Sequence, residues 1–191
     1  MDMLIKSNVD KKKVIILGGN GFIGKNLSKC FYKHGLDVYS LDIREPDEEL
    51  EGINYISGDF FDEIFLKEII SDKDIIFHAI STIQPGNSNQ KYMSGYNRDM
   101  IESIRLFSYL LGTKKKLIFL SSGGTVYGNQ KIQPIKEDVM ALPINHYGNV
   151  KLCIENTMRV FNTQMHSKML IARISNPYGP GQDFNKGVGF I

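Results

Sequence analysis

Cysteine and long apolar runs are scarce in this sequence, and each scarcity excludes a class of protein. Only two cysteines occur among 191 residues. Cys30 and Cys153 have neither the spacing of metal ligands nor that of a disulfide framework, so we predict reduced thiols in or near the core and no metal site. The apolar run from Val14 to Leu17 is far too short for a membrane span or a signal peptide. We therefore expect a cytoplasmic protein.

Charge of one sign is not in excess either. The 23 lysines and arginines stand against 21 acidic residues and give a net charge of +2. We interpret the basic run Lys11–Lys13 as solvent-exposed residues at the start of the first strand, and not as a nucleic-acid site. A composition of 42% hydrophobic and 23% charged residues is that of a globular chain with one good core. Neither nucleic acid nor a membrane surface is an expected partner.

Short β-branched runs alternate with longer amphipathic stretches from Lys13 onwards. The runs read VIILGG, DVYSLD, NYISGD, DIIFHAIS, KLIFLSS and MLIARIS. Helices are predicted over residues 22–34, 60–70, 97–111 and 146–162. Residues 81–96 are predicted to form an exposed loop. Because the strand runs are continuously apolar, the pattern predicts an α/β fold with a doubly wound parallel sheet (Rossmann) of at least six strands.

A glycine-rich turn joins the first predicted strand to the first predicted helix. Gly18, Gly21 and Gly24 lie between the two elements, and Gly19 offers an alternative register. Such a turn lets a pyrophosphate approach the backbone N–H groups at the positive end of a helix. The order of strand, glycines and helix predicts a dinucleotide site. A tight turn without a ligand is the alternative.

An acidic residue ends the second predicted strand. Asp42 stands 18 residues after Gly24, at a position where a carboxylate accepts hydrogen bonds from the adenosine ribose hydroxyls. A carboxylate there repels a 2′-phosphate, although Arg44 could offset this repulsion. We therefore predict NAD, and not NADP, as the cofactor.

Two tyrosines stand four positions ahead of a lysine, and only one pair is expected to be catalytic. Tyr147 and Lys151 fall in a predicted helix, where positions i and i+4 share a face. The Lys151 ammonium should then lower the pKa of Tyr147 and make it a working acid or base. Tyr127 and Lys131 lie in a stretch that Pro134 and neighbouring glycine should keep from being helical.

Further motifs accompany this pair. They are GDFFD at 58–62, SSGGTVYG at 121–128 and RISNPYGPGQ at 173–182. With the glycine turn, Asp42 and the Tyr147–Lys151 pair, they make the chain from about Lys13 onwards resemble the extended short-chain dehydrogenase/reductases, and among these the NAD-dependent nucleotide-sugar epimerases and dehydratases. The resemblance implies an N-terminal extension at 1–12, an NAD-binding Rossmann domain at 13–180, and the start of a smaller substrate domain at 181–191.

The resemblance also implies roles for individual residues. Phe22 and Ile23 would flank the pyrophosphate of the cofactor, and Asp59 and Phe60 would contact its adenine. Ala79 and Ser81 would line the rest of the cofactor site. Tyr147 and Lys151 would contact it too, with Lys151 on the nicotinamide ribose. Asn176 matches a family contact to the nucleotide-sugar phosphates, and Asn97 one that supports the site. A turn residue at Asp59 and a helix cap at Asn97 are the structural alternatives.

Two features depart from the family pattern. Where the family usually has a Ser or Thr that bonds the reacting sugar oxygen, this sequence has Gly123. The nearest hydroxyls, Ser122 and Thr125, are both catalytic candidates, and strand alternation leaves open which of them takes the role. Family members also continue into a domain that encloses the sugar. We therefore expect the substrate domain to be truncated and this chain alone to be weakly active or inactive.

The expected reaction is NAD-dependent epimerisation of a nucleotide sugar through a transient 4-keto sugar. A dehydratase of the family carries an Asp-Glu pair where this sequence has Gly124 and Thr125, which argues against dehydration. A nucleotide-sugar 4-ketoreductase or dehydratase of the same family and a non-catalytic NAD(P)-binding module are the alternatives.

The predicted helices at 97–111 and 146–162 are apolar over more than one face. The resemblance implies a homodimer in which these two helices from each chain form a four-helix bundle. The alternative is that this apolar surface faces the missing domain. The apolar residues concerned are those of IRLFSYLL at 104–111, with Val150, Cys153, Ile154, Met158 and Phe161.

Overall fold

Six parallel strands form one sheet in the computed structural model, which describes residues 11–183. The strands are β1 Lys13–Leu17, β2 Asp37–Asp42, β3 Ile53–Ser57, β4 Ile75–His78, β5 Lys116–Ser122 and β6 Met169–Ile174. Their order across the sheet is β3-β2-β1-β4-β5-β6, and every neighbouring pair is parallel. This confirms the predicted doubly wound parallel sheet. Most of the predicted N-terminal extension and of the predicted start of a substrate domain lies outside the described residues.

The helices connect these strands. They are α1 Phe22–Lys33, α2 Glu63–Ile70, α3 Tyr92–Ser94, a π-helix at Gly95–Met100, α4 Ile101–Tyr109 and α5 His146–Met165. α2 begins three residues later than predicted, because the Asp62 side chain caps it by accepting a hydrogen bond from Phe65 N at 3.1 Å. Within residues 11–183, no helix is long and apolar enough to cross a membrane.

The predicted loop at 81–96 is wrong over its last residues. The helical segment begins at Tyr92, and Gly95 lies inside it. A Cβ on Gly95 would lie 2.4 Å from Ile83 Cδ1 and 3.1 Å from Val150 Cγ2. This glycine therefore allows close packing between the segment and α5, whereas the sequence pattern suggested that it marks a loop.

The core lies on both faces of the sheet. β1 is buried throughout Val14–Leu17. On one face its side chains pack under α1, with Leu27 and Phe31. On the other face, Ile15 and Leu17 share a larger cluster with α2, α4 and α5. The continuous apolar runs of the sequence therefore correspond to a sheet covered on both sides.

Most of the apolar residues that suggested association between chains belong to this core. The buried ones are Leu106, Phe107, Leu110, Val150, Ile154 and Met158. Phe161 packs against the same cluster. Most of the apolar excess of these helices thus serves the interior of one chain, so these residues give the predicted dimer little support, and the dimer stays a prediction.

The two cysteines differ in their surroundings. Both are free thiols, and Cys30 is exposed whereas Cys153 is half-buried. Burial raises the pKa of the Cys153 thiol. The prediction of a core or near-core thiol is therefore wrong for Cys30, which lies on the outer side of α1.

Candidate active site

The glycine turn lies at the carboxyl end of β1, where the strand order reverses. β1 pairs with β2 on one side and with β4 on the other, and ligands of doubly wound folds bind in the crevice at such a point. Gly18 has φ +85°, which a tight turn requires. A Cβ on Gly24 would lie 2.5 Å from the Gly18 carbonyl oxygen, so only glycine lets α1 approach the strand this closely.

The middle glycine is the one that faces outward. A Cβ on Gly21 would meet only the Gly18 carbonyl oxygen, at 3.4 Å, among the described residues. Gly21 caps α1 without a side-chain hydrogen bond, and the first turn of α1 carries no acid. Phe22 and Ile23 follow it directly, so their N–H groups form the positive end of the helix. The register Gly18, Gly21, Gly24 therefore fits a pyrophosphate.

Gly19 does not offer this register. A Cβ on Gly19 would lie 2.1 Å from Ser40 Oγ. Gly19 therefore packs directly against β2, where a side chain would not fit.

Asp42 is fixed beside the glycine turn. Its carboxylate accepts hydrogen bonds from Asn20 N and from Arg44 N, both at 3.2 Å. Arg44 Nε lies 3.7 Å from the same carboxylate, and the Arg44 side chain is 71% exposed whereas Asp42 is buried. The carboxylate stands where the sequence predicted it, with the arginine that could offset its charge directly beside it.

The two residues expected near adenine lie after β3. Asp59 Oδ1 accepts a hydrogen bond from Phe61 N at 2.9 Å, which is the contact of a turn residue. The Phe60 ring is buried, with its centroid 5.2 Å from that of Phe61 and 5.0 Å from that of His78. Only the backbone of Phe60 is therefore placed to contact a ligand.

The segment after β4 borders the glycine turn. A Cβ on Gly18 would lie 3.3 Å from the Ala79 carbonyl carbon. Ser81 Oγ donates a hydrogen bond to Asp99 Oδ2 at 2.7 Å, and Thr82 N donates to both Asp99 carboxylate oxygens at 2.9 Å. Ala79 thus borders the glycine turn and Asp99 holds the residues that follow it, while the contact of Ala79 and Ser81 with the cofactor stays a prediction.

Sequence reasoning missed Asp99. It selected Asn97, which is exposed and lies inside the π-helix, so the helix-cap alternative for Asn97 is wrong. Asp99 is buried and shares a helix face with Ser103 and the buried Leu106. An acid on the apolar face of an amphipathic segment is the signal that could have identified it.

Tyr147 and Lys151 lie on α5, which confirms that this pair and not the other occupies a helix. The Asn145 side chain caps the helix by accepting a hydrogen bond from Gly148 N at 2.8 Å. A Cβ on Gly148 would lie 2.7 Å from the Thr125 carbonyl oxygen. The glycine therefore lets the first turn of α5 approach the end of β5 and brings Tyr147 to the site.

Lys151 makes its side-chain hydrogen bond with the backbone of β5. Its ammonium donates to Leu120 O at 3.1 Å and lies 5.6 Å from the Tyr147 ring centroid. Burial lowers the pKa of Lys151 to about 8, and the charges of Asp99 and Glu155 oppose this change.

The pKa of Tyr147 is raised, first by burial and then by the charge of Asp99. The predicted lowering of the Tyr147 pKa by Lys151 is therefore wrong for the chain described.

The structure distinguishes the two hydroxyls that could replace a Ser or Thr at Gly123. The Ser122 side chain lies near enough to Tyr147 to act on its pKa in the lowering direction, which favours the phenolate. The Thr125 hydroxyl is buried without a hydrogen-bond partner in the described chain. A Cβ on Gly123 would lie 3.2 Å from Ser175 Cβ, against β6. Ser122 is the hydroxyl that the fold brings to Tyr147.

Asn176 follows β6 and lies over the turn that follows β5. Its backbone is in the left-handed region, with φ 43°. Its Oδ1 lies 3.4 Å from where a Cβ on Gly124 would stand. The side chain is exposed, so its amide is free to meet a ligand at the same edge of the sheet.

Tyr127 belongs to a separate network. It lies in a turn, and its hydroxyl accepts a hydrogen bond from Arg173 Nη1 at 2.7 Å. Arg173 also donates to the buried Glu155 at 2.6 Å, and Ser121 Oγ donates to Glu155 at 2.6 Å. Burial opposes ionisation of Glu155, but the bonds from Arg173 and Ser121 outweigh it and lower the pKa. Lys131 is exposed in an irregular stretch. This network joins β5, β6 and α5, and Tyr127 has a structural contact there.

Comparison with known proteins identifies similar chains. Residues 14–190 match the model of the NAD dependent epimerase/dehydratase family. Among curated proteins, the chain is 32% identical over 192 residues to a dTDP-4-dehydro-6-deoxyglucose reductase of Escherichia coli, with 95% of this chain and 60% of the relative covered. It is 30% identical over 181 residues to a UDP-glucose 4-epimerase of Yersinia enterocolitica, with 87% and 54% covered. The chain thus spans little more than half the length of these relatives.

Solved structures show the same relation. A UDP-glucose 4-epimerase of Thermotoga maritima with UDP-glucose matches with a TM-score of 0.83 and 26% identity, over 93% of this chain and 60% of that one. A UDP-N-acetylglucosamine 4-epimerase of Methanobrevibacter ruminantium M1, in complex with UDP-N-acetylmuramic acid, matches with a TM-score of 0.83 and 25% identity, over 95% and 60%.

Proposed function

The chain belongs to the NAD-dependent epimerase/dehydratase family, and we propose that the protein epimerises a nucleotide sugar at C4 through a transient 4-keto sugar. One observation carries this proposal: Tyr147, Lys151 and Ser122 meet at the same edge of the sheet as the glycine turn. That arrangement would place an acid/base beside a dinucleotide, which is what reversible oxidation of a sugar hydroxyl needs.

NAD fits the residues of the crevice. Gly21 leaves the start of α1 open to a pyrophosphate, and Asp42 offers carboxylate oxygens beside it. When bound, NAD supplies the hydride acceptor. In this proposal the Tyr147 oxygen removes the proton of the sugar hydroxyl, Ser122 orients that oxygen, and Asn176 contacts the nucleotide-sugar phosphates.

A second function has specific support. The reductase of Escherichia coli is 32% identical to this chain, and the same acid/base would protonate a 4-keto sugar during its reduction. The two reactions differ in redox balance, since an epimerase returns its cofactor unchanged and a reductase consumes a reduced one.

Two assays with the complete protein separate these functions. Interconversion of UDP-glucose and UDP-galactose without a net change in absorbance at 340 nm would support the epimerase. Oxidation of NADH or NADPH that depends on a dTDP-4-keto-6-deoxy sugar, without interconversion, would support the reductase. Absence of both activities in a folded protein that binds NAD would favour the third alternative, a non-catalytic NAD(P)-binding module.

We expect NAD to bind at least about tenfold more tightly than NADP, because the Asp42 carboxylate would repel a 2′-phosphate. Calorimetric titration of both cofactors checks this. Asp42→Asn should strengthen NADP binding and so reduce the ratio of NAD affinity to NADP affinity. Arg44→Ala should increase this ratio. Equal affinities in the unchanged chain would mean that Arg44 has neutralised the acid.

We also propose a homodimer, now on the apolar residues that the fold leaves exposed. Val160 on α5 is 58% exposed and Ile101 on α4 is 42% exposed. Val160→Glu should convert a dimer into a monomer in sedimentation at micromolar concentration. Ile64→Glu, at an exposed position of α2, is the matched control and should leave the assembly unchanged. A monomer before any substitution would contradict the proposal.

We also make one proposal about the cellular setting of the protein and one about its domain boundaries. We propose a cytoplasmic setting on the free thiols of Cys30 and Cys153. We propose residues 13–180 as the cofactor-binding domain, because β1 begins at Lys13.

A further inference from the structure

Glu155 is a fully buried carboxylate to which the proposed reaction gives no role. Its Oε1 accepts a hydrogen bond from Arg173 Nε at 2.9 Å, and its Oε2 accepts one from Arg173 Nη2 at 2.6 Å. Ser121 Oγ donates to the same Oε1 at 2.6 Å. Two parallel bonds between a guanidinium and a carboxylate fix the orientation of both groups as well as their distance. Glu155 therefore holds Arg173 in one defined arrangement.

These contacts lie one residue before the ends of two strands. Ser121 and Arg173 are register partners on β5 and β6, so their side chains lie side by side on one face of the sheet. The register pair that follows contains Ser122 and is the last of both strands. Asn176 comes directly after the end of β6. Glu155 thus bonds the two strands to each other immediately before the residues that the proposed site uses.

The same carboxylate belongs to α5. Tyr147, Lys151 and Glu155 recur at intervals of four residues, so they share one side of this helix. Lys151 Nζ donates to Leu120 O at 3.1 Å. Ser121, the next residue of β5, is the one that bonds Glu155. Two successive turns of α5 are therefore bonded to two successive residues of β5, and Tyr147 lies one turn before these contacts.

The Tyr127 hydroxyl contacts a different nitrogen of the same arginine. It accepts its hydrogen bond from Arg173 Nη1, whereas the bonds to Glu155 come from Nε and Nη2. Loss of the Tyr127 hydroxyl would therefore leave the Glu155–Arg173 pair in place.

We propose that Glu155 is a positioning residue: through Arg173 and Ser121 it holds the first turn of α5 in place against the ends of β5 and β6. Tyr147 on that turn would then lie within reacting distance of a sugar bound at those strand ends. A displacement of about 1 Å would lower the rate by about a hundredfold. This catalytic consequence rests on the function proposed above, whereas the placement of α5 is a property of the protein without substrate.

The test replaces both members of the pair by methionine in the complete protein. Glu155→Met alone would leave the Arg173 guanidinium buried without its carboxylate, which is expected to destabilise the fold strongly. The double variant Glu155→Met, Arg173→Met removes both charges together and fills the space with apolar side chains, a change that is often neutral for stability. We expect its urea midpoint and its affinity for NAD to stay close to those of the unchanged protein. Its kcat should fall by about 10- to 100-fold.

A pair with a purely structural role would recover kcat together with stability. Full kcat in a stable double variant would therefore overturn the proposal. Failure of the double variant to fold would overturn it too, because the pair would then be a requirement of folding. Glu63→Met with Lys67→Met is the matched control, since these residues form an exposed pair on α2 at 2.6 Å. Their replacement should leave kcat unchanged.

Crystal structures of the unchanged protein and of the double variant separate this proposal from the proposed reaction, because they need no substrate. After superposition on the six strands, Tyr147 should be displaced by about 1 Å or more in the double variant. That displacement would support the positioning role even if neither sugar substrate were turned over. A first turn of α5 that superimposes in the two structures would overturn the proposal and leave the proposed reaction unaffected.

Discussion

Replacing Tyr147 by phenylalanine is expected to lower turnover of the complete protein by about 10²- to 10⁴-fold, the range for loss of a general acid or base. The substitution removes one oxygen and keeps the ring, so α5 and the packing around Tyr147 should persist. Cofactor affinity should therefore stay nearly unchanged. Steady-state kinetics with a UDP-sugar, together with calorimetric titration of NAD, measure the two quantities separately.

Tyr127→Phe is the matched control for this result. It removes a hydroxyl that accepts a hydrogen bond from Arg173 at 2.7 Å, so it should lower the free energy of unfolding by about 1 kcal/mol. Turnover should remain close to that of the unchanged protein. Similar losses of turnover in the two variants would contradict the assignment of Tyr147 as the acid/base.

The strands could be predicted because burial on both faces leaves a strong local signal. Val14–Leu17 is apolar at every position, and all four residues are buried. The boundaries of α2 and of the segment at 92–109 could not be predicted as well. They depend on a cap at Asp62 and on the close approach of Gly95 to Ile83 and Val150, and the second of these joins parts of the chain far apart in sequence.

In the site, too, local relations between residues could be predicted, whereas contacts between distant parts of the chain could not. The spacing of Tyr147 and Lys151 correctly predicted a shared helix, because that relation is local. The pKa shift of Tyr147 was predicted with the wrong sign, because burial, which the spacing does not reveal, raises the pKa of Tyr147. Asp99 was missed for a similar reason: its importance comes from Thr82 and Ser81, which are 17 and 18 residues away in sequence.

Lys151 should make the chain less stable than it would be without this residue. Its pKa falls from the ordinary 10.5 to about 8 because burial disfavours the ammonium. Between these two values the unfolded chain binds more protons than the folded one, so this group makes stability rise with pH from about 8 to 10.5. Below about pH 8 the penalty is complete, and it corresponds to about 3 kcal/mol.

Lys151→Met should therefore raise the free energy of unfolding at pH 7 by about 2 kcal/mol, after about 1 kcal/mol is subtracted for the lost bond to Leu120 O. Above about pH 10.5 the amine is neutral in both states and the penalty is gone, so only the lost bond should remain and the substitution should lower the free energy of unfolding by about 1 kcal/mol. Urea unfolding at pH 7 and pH 10.5 measures this difference. Lys73→Met is the matched control, because Lys73 is also buried but pairs with Asp72 and lies over the Tyr39 ring at 3.9 Å. It should destabilise the chain at neutral pH, and loss of stability in Lys151→Met as well would contradict the proposed penalty and make Lys151 a structural residue.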